Sequence, residues 1–381
     1  MEQTQTAARP GARTKPPFRA DHVGSLLRPP QLLKARDEFA AGGIDAAGLR
    51  GAEDEAIREI VRRQEEVGLQ SATDGEFRRA SWHMDFIYQL DGITKEAGHI
   101  SVKFHNPQGD IEFTPAALHV DGKLGVSKTI FGDDFRFLQQ TTTNVPKLTI
   151  PSPSMVHYRG GKAAIDPDIY PDLDSFWADL VAAYREQVRR VGELGCTYLQ
   201  FDDTSLAYMN DPHQREYIAS IGGDPEHQHV EYIHHINEAL AGRPEGMSVT
   251  THMCRGNFRS SWAAEGSYDF VAEALFHELE VDGFFMEWDD ERSGGFEPLR
   301  LLPKGEKQVV LGLVTTKRGE LESRDELLRR IEEASRYAPL EQLCLSPQCG
   351  FSSTVEGNEL THDEQWAKLR LIVEVAQEVW G

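Results

Sequence analysis

Residues 247–254 read MSVTTHMC, residues 282–288 read DGFFMEW, and an amphipathic stretch at 262–280 lies between them. The two outer segments are short, apolar and rich in β-branched or aromatic residues, which is typical of buried strands. The stretch between them has apolar residues three and four positions apart, which predicts a helix. A strand, a helix and a second strand in this order predict a parallel βαβ unit.

The same alternation extends along the chain in both directions, and a helical pattern follows nearly every apolar run. The eight runs of strand type lie at 18–26, 69–76, 147–151, 197–202, 247–254, 282–288, 308–316 and 342–349. Eight such units predict an α/β fold of the (β/α)8 TIM-barrel class. Neither G-x-G-x-x-G nor G-x-x-x-x-G-K-[ST] occurs, which disfavours dinucleotide-binding and P-loop folds.

Two stretches depart from this alternation. Residues 1–17 have no apolar core, so we predict a flexible tail and no signal peptide there. Residues from about 86 to 146 alternate polar and apolar side chains around Gly and Asp, which predicts a hairpin-rich insertion after the second strand. We therefore expect a single barrel domain over residues 18–381.

The composition excludes several classes of function. The chain has 62 Asp and Glu against 40 Lys and Arg, a formal net charge of −22, so a nucleic-acid partner is not expected. No run of about 18 apolar residues occurs, which predicts no membrane span. Four cysteines are too few for a disulfide scaffold and, with no export signal, they predict a reducing, cytoplasmic location.

Metal-binding side chains gather at the predicted carboxyl ends of the strands, where barrel enzymes carry their chemistry. His252 and Cys254 are two residues apart and so face the same side of one strand, Glu287 ends the next strand, and Cys349 ends the last. An imidazole, two thiolates and a carboxylate form a four-coordinate set that suits Zn²⁺. Because the four residues come from three separate strands, they predict an active-site metal; the alternative is a set of buried core residues.

The charge of this ligand set favours a thiol substrate. Two thiolates and one carboxylate around Zn²⁺ leave a net charge of about −1, which makes a poor Lewis acid but leaves a bound thiolate nucleophilic. We expect Glu287 to be the ligand that an incoming thiol displaces. The other two cysteines, Cys196 and Cys344, fall in predicted core segments and are expected to be structural.

Three more acids follow the second and fourth strands, namely Glu76, Asp202 and Asp203. Such residues either cap the helices that follow or line the site and bind a cationic group. Because they share a rim with the metal ligands, we favour the second interpretation and take them as candidate catalytic residues. Asp203 or Asp289 is the candidate proton donor to an amine leaving group.

Together these motifs resemble those of a known family. The segments ADHVGSLLRP, TDGEFRR, LQFDD, THMC, FFMEW and SPQCGF occur in the order found in the zinc-dependent catalytic barrel of cobalamin-independent methionine synthase, specifically in its short single-barrel bacterial relatives. The resemblance implies zinc bound by the four ligands named above and methyl transfer to the sulfur of homocysteine. It also implies that Ser25 binds the amino acid's carboxylate and that Glu76 and Asp202 bind its ammonium group. His22, in the same segment as Ser25, is a further candidate for substrate binding.

The resemblance leaves the methyl donor open. The chain lacks the second barrel that helps full-length enzymes hold a folate polyglutamate tail, and Pro153 stands where they place a tryptophan against the folate ring. Lys317 or a neighbour replaces a histidine after the seventh strand. The donor candidates are therefore a methyl-folate, a methyl-corrinoid protein or a small methyl compound.

Other functions are also consistent with a zinc site on this barrel. The related epoxyalkane:coenzyme M transferases share the ligand set, so a different thiol acceptor is an alternative. A metal-dependent hydrolase is disfavoured, since such enzymes use neutral, His-rich ligand sets. A zinc protein that binds a thiol without turnover is the non-enzymatic alternative.

Overall fold

The computed structural model describes residue 11 and residues 13–98, 102–114 and 117–381. Most of the predicted tail, residues 1–10 and 12, lies outside these ranges. Its last two residues, Pro16 and Pro17, are buried. Among the described residues, no helix combines the length and the apolar character that crossing a membrane requires.

The strands follow the predicted runs closely in the second half of the chain. They are β1 (Ser71–Ala72), β2 (Asp91–Glu96), β3 (Val102–Asn106), β4 (Gly109–Phe113), β5 (Ala117–Gly125), β6 (Val145–Pro151), β7 (Tyr198–Asp203), β8 (Ser248–Met253), β9 (Gly283–Glu287), β10 (Gln308–Val314) and β11 (Leu343–Pro347). Seven of them form one parallel sheet in the order β1-β6-β7-β8-β9-β10-β11.

The segment that precedes β1 closes this sheet into a barrel. Ala20 pairs in parallel with Leu345 of β11, and the Asp21 amide donates to the Leu345 carbonyl at 3.0 Å. At the other edge, the Leu26 amide donates to the Gly75 carbonyl at 3.1 Å, in the loop that follows β1. The first predicted strand is thus reduced to a short bridge, but it takes the expected place. The predicted (β/α)8 barrel is confirmed.

The helices surround the sheet. They are α1 (Pro30–Ala40), α2 (Ala46–Val67), α3 (Met84–Ile87), α4 (Gly132–Thr141), α5 (Ser154–His157), α6 (Leu173–Glu193), α7 (Ser205–Tyr208), α8 (Pro212–Ser220), α9 (Gln228–Leu240), α10 (Ala272–Glu278), α11 (Arg324–Ser335) and α12 (His362–Trp380). Side-chain caps fix several of their starts. Asp172 accepts from the Ser175 amide at α6, and Thr361 and Glu364 form a capping box at α12.

Strand residues alternate between two cores, as the pleat of a strand requires. Phe285, Val310 and Cys344 form one cluster with Val23 in the barrel interior, whereas their neighbours along the strands belong to the larger core between sheet and helices. Cys196 lies in that larger core. Both cysteines that the sequence assigns to the core are therefore buried, Cys344 in the barrel interior and Cys196 in the larger core.

The chain between β1 and β6 forms two antiparallel pairs, β2 with β5 and β3 with β4. Helix α4 follows them, where the sequence pattern predicts more hairpins. Phe135 and Leu138, three residues apart, are both buried on one face of α4, and Asp133 and Asp134 lie in its first turn. This spacing is that of a helix, and it overrides the strand-like alternation of the preceding residues.

Candidate metal centre and substrate cleft

The four predicted metal ligands lie together at the carboxyl end of the barrel. His252 lies in β8, Cys254 directly follows β8, Glu287 ends β9, and Cys349 lies two residues beyond β11. One donor atom of each lies within 4.8 Å of all the others. Cys349 Sγ is 3.4 Å from His252 Nε2 and 3.3 Å from Cys254 Sγ. All four side chains are buried.

The distances between these ligand atoms fit the tetrahedral coordination of a metal ion. Ligand atoms about 2.3 Å from a tetrahedral centre are about 3.7 Å apart, close to the distances between the sulfur and nitrogen atoms here. A disulfide is excluded for Cys254 and Cys349, since bonded sulfur atoms are about 2.0 Å apart. The mixed set of one imidazole, two thiols and one carboxyl suits Zn²⁺ in particular.

The pKa values of the cluster's acidic groups shift in both directions. Against burial, which raises it, the hydrogen bond with Cys254 and the charge of His252 lower the pKa of the Cys349 thiol well below its usual range. The same hydrogen bond, together with burial, raises the pKa of the Cys254 thiol well above its usual range. Burial also raises the pKa of the Glu287 carboxyl. A divalent cation would favour the ionised form of both groups, because it neutralises charges that otherwise repel one another in a buried site. The donor set is therefore able to hold a metal ion.

Glu287 also has cationic neighbours. Its Oε1 accepts from the Arg255 amide at 2.9 Å, and its Oε2 lies 3.2 Å from Arg292 Nη2 and 3.9 Å from Lys317 Nζ. Lys317 Nζ is buried and has no hydrogen-bond partner in the described part of the chain. Glu287 is thus held by a backbone amide and lies beside two cationic side chains.

Glu76 reaches the same region from a strained turn. It has a φ of +60°, directly after Gly75 at +66°, and its amide donates to Asp74 Oδ1 at 2.9 Å. A left-handed backbone is uncommon for a residue other than glycine and is often found at functional sites. Glu76 Oε1 accepts from Thr149 Oγ1 at 2.8 Å, while Oε2 is buried with no partner among the described residues.

Asp202 forms an acidic pair with Glu76. Burial, followed by the charge of Glu76, raises the pKa of Asp202 to about 7, and burial raises that of Glu76 as well. Gln200 Nε2 donates to Asp202 Oδ1 at 2.7 Å and so orients that carboxyl. A cationic group beside the pair would stabilise the ionised form of both acids.

The loops that carry Ser25 and Cys349 are packed tightly together. The Ser352 amide donates to Ser25 Oγ at 3.3 Å, and the Phe351 amide donates to the Ser25 carbonyl at 3.0 Å. A Cβ atom on Gly350 would lie 1.9 Å from Ser25 Oγ, so this close approach requires glycine. Ser25 is thereby fixed beside the Cys349 loop.

Arg28 joins the loops after the first, second and eighth barrel strands. Its Nη2 donates to the Glu76 carbonyl at 2.9 Å and to the Arg79 carbonyl at 2.7 Å, and its Nη1 donates to Ser352 Oγ at 2.6 Å. Arg28 is 4% exposed. It lies within the ADHVGSLLRP segment, but the sequence by itself does not indicate this structural role.

One cleft contains most of the predicted site. The residues on its walls that the sequence selects are Ser25, Glu76, Asp202, His252, Cys254 and Cys349. The structure therefore brings the acidic pair and three of the four candidate metal ligands to one cleft, as convergence at one rim requires. Glu287, the fourth candidate ligand, does not line this cleft.

Asp203, His22 and Asp289 lie elsewhere. Asp203 does not line the cleft, because its carboxylate accepts from Ser152 Oγ, from Ser205 Oγ at 2.7 Å and from the Leu206 amide at 2.8 Å at the start of α7. This is the helix-capping role, the alternative to a catalytic one.

His22 also lies away from the cleft. Burial, followed by the charge of Lys147, lowers the pKa of His22 to about 4, so its ring is neutral near pH 7. Asp289, the other candidate acid, accepts from Arg292 Nη2 at 2.8 Å and does not line the cleft either. The structure therefore brings none of these three residues to the substrate space.

The sequence did not identify the other walls of the cleft. Trp82 and His83 line it from the loop after β1, Arg159 from the end of α5, and Phe104 and Phe113 from the β3–β4 hairpin. The alternation of aromatic and polar residues in that hairpin predicts a buried face. It does not predict that this face closes over the metal centre, because the packing partner is remote in sequence.

The fold and the site together define the class of protein. It is a (β/α)8 barrel with a candidate thiolate-rich metal centre, formed by a buried His, Cys, Glu and Cys cluster at the carboxyl ends of its strands. A family model described as "Cobalamin-independent synthase, Catalytic domain" matches residues 158–378. The chain belongs to this family of methionine synthase-like methyltransferases.

Similar proteins cover nearly the whole chain. It is 47% identical over 367 residues to the Bacillus subtilis "Uncharacterized protein YxjH", covering 96% of each chain. It is 24% identical over 333 residues to a methionine synthase of Pyrococcus abyssi, covering 86% of this chain and 85% of the relative. The solved structure of a putative vitamin-B12 independent methionine synthase from Listeria monocytogenes has a TM-score of 0.77 at 39% identity and covers 97% of this chain and 100% of the other.

Proposed function

We propose that this protein is a zinc-dependent methyltransferase that methylates the thiol of homocysteine to give methionine. The observation that carries the proposal is one cleft lined by Glu76, Asp202 and three of the four candidate metal ligands, whose donor atoms lie within 4.8 Å of that of Glu287. A thiol-activating centre and a site for an ammonium group are the two features that an aminothiol substrate requires.

His252, Cys254, Glu287 and Cys349 would hold the zinc ion. When bound, zinc favours the thiolate form of a substrate thiol at neutral pH. Arg292 and Lys317 offer alternative partners to Glu287, so this carboxylate is the ligand best placed to give way to a substrate sulfur.

Glu76 and Asp202 would bind the ammonium group of homocysteine. The unpartnered Glu76 Oε2 would gain a charged donor, and the pKa of Asp202, about 7 in the free protein, would fall as the cation binds. Ser25, fixed beside the Cys349 loop, would bind the substrate's carboxylate. Binding at both ends would hold the sulfur in one position and so favour in-line attack.

The proposed methyl transfer requires no oxidant or reductant. The substrate sulfur supplies the electron pair of the new S–CH₃ bond, and the bond between the methyl carbon and the donor atom breaks with its electrons left on the donor. The thiol proton would be released to solvent before the transfer. A methyl-folate, a methyl-corrinoid protein and a small methyl compound are all compatible with this scheme.

The acidic pair favours homocysteine over coenzyme M as the acceptor. Coenzyme M carries a sulfonate and no ammonium group, so two buried carboxyls would repel it rather than bind it. A thiol-binding protein without turnover would use the same contacts, and it is distinguished by the absence of methionine with every donor.

The test compares zinc content in matched cysteine variants. We expect about one zinc per wild-type chain, a loss of zinc in Cys254→Ala and Cys349→Ala, and full zinc in Cys196→Ala, since that buried cysteine lies outside the cluster. Methionine formation from homocysteine, measured with a panel of methyl donors, should follow zinc content. Full zinc in both cluster variants would show that the assignment is wrong.

A further inference from the structure

A second group of metal-binding side chains lies on helix α9, away from the cleft. His234, His235 and Glu238 each offer one donor atom, and these three atoms lie within 4.8 Å of one another. The cleft that contains Glu76 and Asp202 is lined by other residues. We call His234, His235 and Glu238 the α9 cluster, and it is separate from the metal centre at the carboxyl ends of the strands.

The distances within the α9 cluster match those between the ligands of a coordinated ion. Glu238 Oε2 lies 3.2 Å from His235 Nδ1 and 3.6 Å from His234 Nε2. Nitrogen and oxygen ligands about 2.1 Å from a tetrahedral metal ion are about 3.4 Å apart, which lies between these two distances. Two imidazoles and one carboxylate also form a known zinc ligand set, in which water takes the fourth position.

Packing fixes the orientation of His235. Its ring stacks on the Trp177 ring of α6, with the ring centres 4.3 Å apart and the planes 15° apart, and its side chain is 14% exposed. Glu231 Oε1 lies 4.0 Å from the other ring nitrogen, Nε2. A carboxylate on that side favours a proton on Nε2, so Nδ1 presents its lone pair to Glu238. One ligand is thus oriented in advance.

The helix also holds the other two ligands in place. Arg185 of α6 donates to the Glu238 carbonyl at 2.8 Å from Nη2 and at 3.1 Å from Nε, which fixes the backbone there. His234 and Glu238 are four residues apart, so their side chains lie on the same face of α9. The His234 side chain is 66% exposed, and an ion can reach the cluster from solvent on that side.

The chemistry of the donor atoms selects the kind of ion. With Nδ1 unprotonated, His235 and Glu238 present two acceptor atoms 3.2 Å apart, and a cation between them removes their repulsion. Imidazole nitrogen suits Zn²⁺, Ni²⁺ and Cu²⁺, whereas Mg²⁺ and Ca²⁺ prefer oxygen ligands. The α9 cluster is therefore suited to a divalent transition-metal ion or Zn²⁺.

We propose that the α9 cluster is a second metal site, which binds an ion such as Zn²⁺ through His234 Nε2, His235 Nδ1 and the Glu238 carboxylate. This inference goes beyond the proposed function and does not depend on it, because the cluster takes no part in methyl transfer. Three ligands at a solvent-exposed position hold an ion more weakly than four buried ones. Dialysis against a weak chelator should therefore empty this site and leave about one zinc per chain in the buried centre.

The experiment titrates Zn²⁺ by calorimetry into zinc-loaded protein that has been dialysed in this way. We expect a second ion to bind the wild type at micromolar free zinc. His234→Ala and Glu238→Gln should each weaken this binding by about tenfold or more, because each removes one of the three ligands. Both side chains are exposed, so the fold should be unchanged, and circular dichroism checks this.

His213→Ala on α8 is the matched control. His213 and Glu216 are an exposed imidazole and carboxylate 3.6 Å apart, a pair rather than a set of three, so this variant should bind the second ion as the wild type does. Cys254→Ala should also bind an ion at the α9 cluster with wild-type affinity, although it is expected to lose the buried zinc.

Three results would overturn the proposal. They are a wild type that binds no second ion at micromolar zinc, wild-type affinity for that ion in His234→Ala and Glu238→Gln, and an equal loss of affinity in His213→Ala. The last result would indicate non-specific binding at the surface. Failure of the proposed function is seen separately, in the zinc content and methionine formation of the cysteine variants.

Discussion

The barrel interior contains two groups of buried charges that differ in how they are paired. Near the amino ends of the strands, Lys147 Nζ lies 3.5 Å from Asp21 Oδ1 and donates to the His22 carbonyl at 2.5 Å. Tyr198 Oη donates to Asp21 Oδ2 at 2.8 Å. Near the carboxyl ends, burial and the charge of Glu76 raise the pKa of Asp202, and Arg79 lies 3.6 Å from Glu76 Oε1 while Glu76 Oε2 has no described partner.

This difference in pairing distinguishes the buried charges that stabilise the barrel from those that can bind a ligand. Charged groups that pair with each other hold the strands together, whereas a buried carboxyl oxygen left without a partner, such as Glu76 Oε2, is available to a ligand. Burial is similar in both places, so burial alone does not identify the site. The pairing of the charges does.

The largest expected effect comes from breaking the amino-end pair. Lys147→Met should lower the free energy of unfolding by about 3–5 kcal/mol, because it leaves the Asp21 carboxylate buried without its cation. Urea denaturation followed by circular dichroism measures this. Lys147→Met combined with Asp21→Asn should recover much of the loss, and a cost below about 1 kcal/mol for the single variant would contradict this account of the pair.

Two adjacent residues sharpen the comparison at the carboxyl end. Asp203→Asn should lower the free energy of unfolding by about 1–3 kcal/mol, because its carboxylate accepts several buried hydrogen bonds at α7. Asp202→Asn should instead raise the KM for homocysteine by about tenfold or more, with no loss of stability, since it removes a buried like charge. Denaturation midpoints and steady-state kinetics on both variants check this. A loss of stability in Asp202→Asn and a raised KM in Asp203→Asn would show that the roles of the two acids are assigned the wrong way round.

The smallest effect is a change in the pH dependence of stability. The pKa of His22 is lowered from 6.5 to about 4, so the unfolded chain binds more protons and stability rises with pH between these values. The pKa of Asp202 is raised from 3.8 to about 7, so the folded protein binds more protons and stability falls as pH rises through that window.

Variants at these two positions should therefore change the slope in opposite directions. From pH 4 to 6.5, His22→Leu should remove part of the rise in urea midpoint with pH, whereas Asp202→Asn should make that rise steeper. Arg62→Met, at the exposed ion pairs of α2, serves as the control and should follow the wild-type slope. Slopes that move in the same direction in both variants would show that the two groups do not titrate as inferred.

Much of the fold was predictable because it depends on local patterns. The runs that gave β7 to β11 lie within a few residues of the observed strands, and the ends of these strands carry His252, Cys254, Glu287 and Cys349. The carboxyl ends of all strands in a parallel barrel lie at the same end of the barrel. The convergence of these residues therefore follows from the alternation of strands and helices alone. Helix α4 was missed because its spacing was read as part of a hairpin-rich stretch.

The sequence by itself therefore determined the barrel and the set of candidate ligands. Only the tertiary structure decided that Asp202 faces the cleft while Asp203 caps α7, that His22 lies away from the site, and that Arg159 enters it. Successive residues of a strand point to opposite faces, so a one-residue difference in register exchanges ligand-binding and structural roles. The loop and hairpin side chains depend on contacts between segments far apart in sequence, and no local pattern records those contacts.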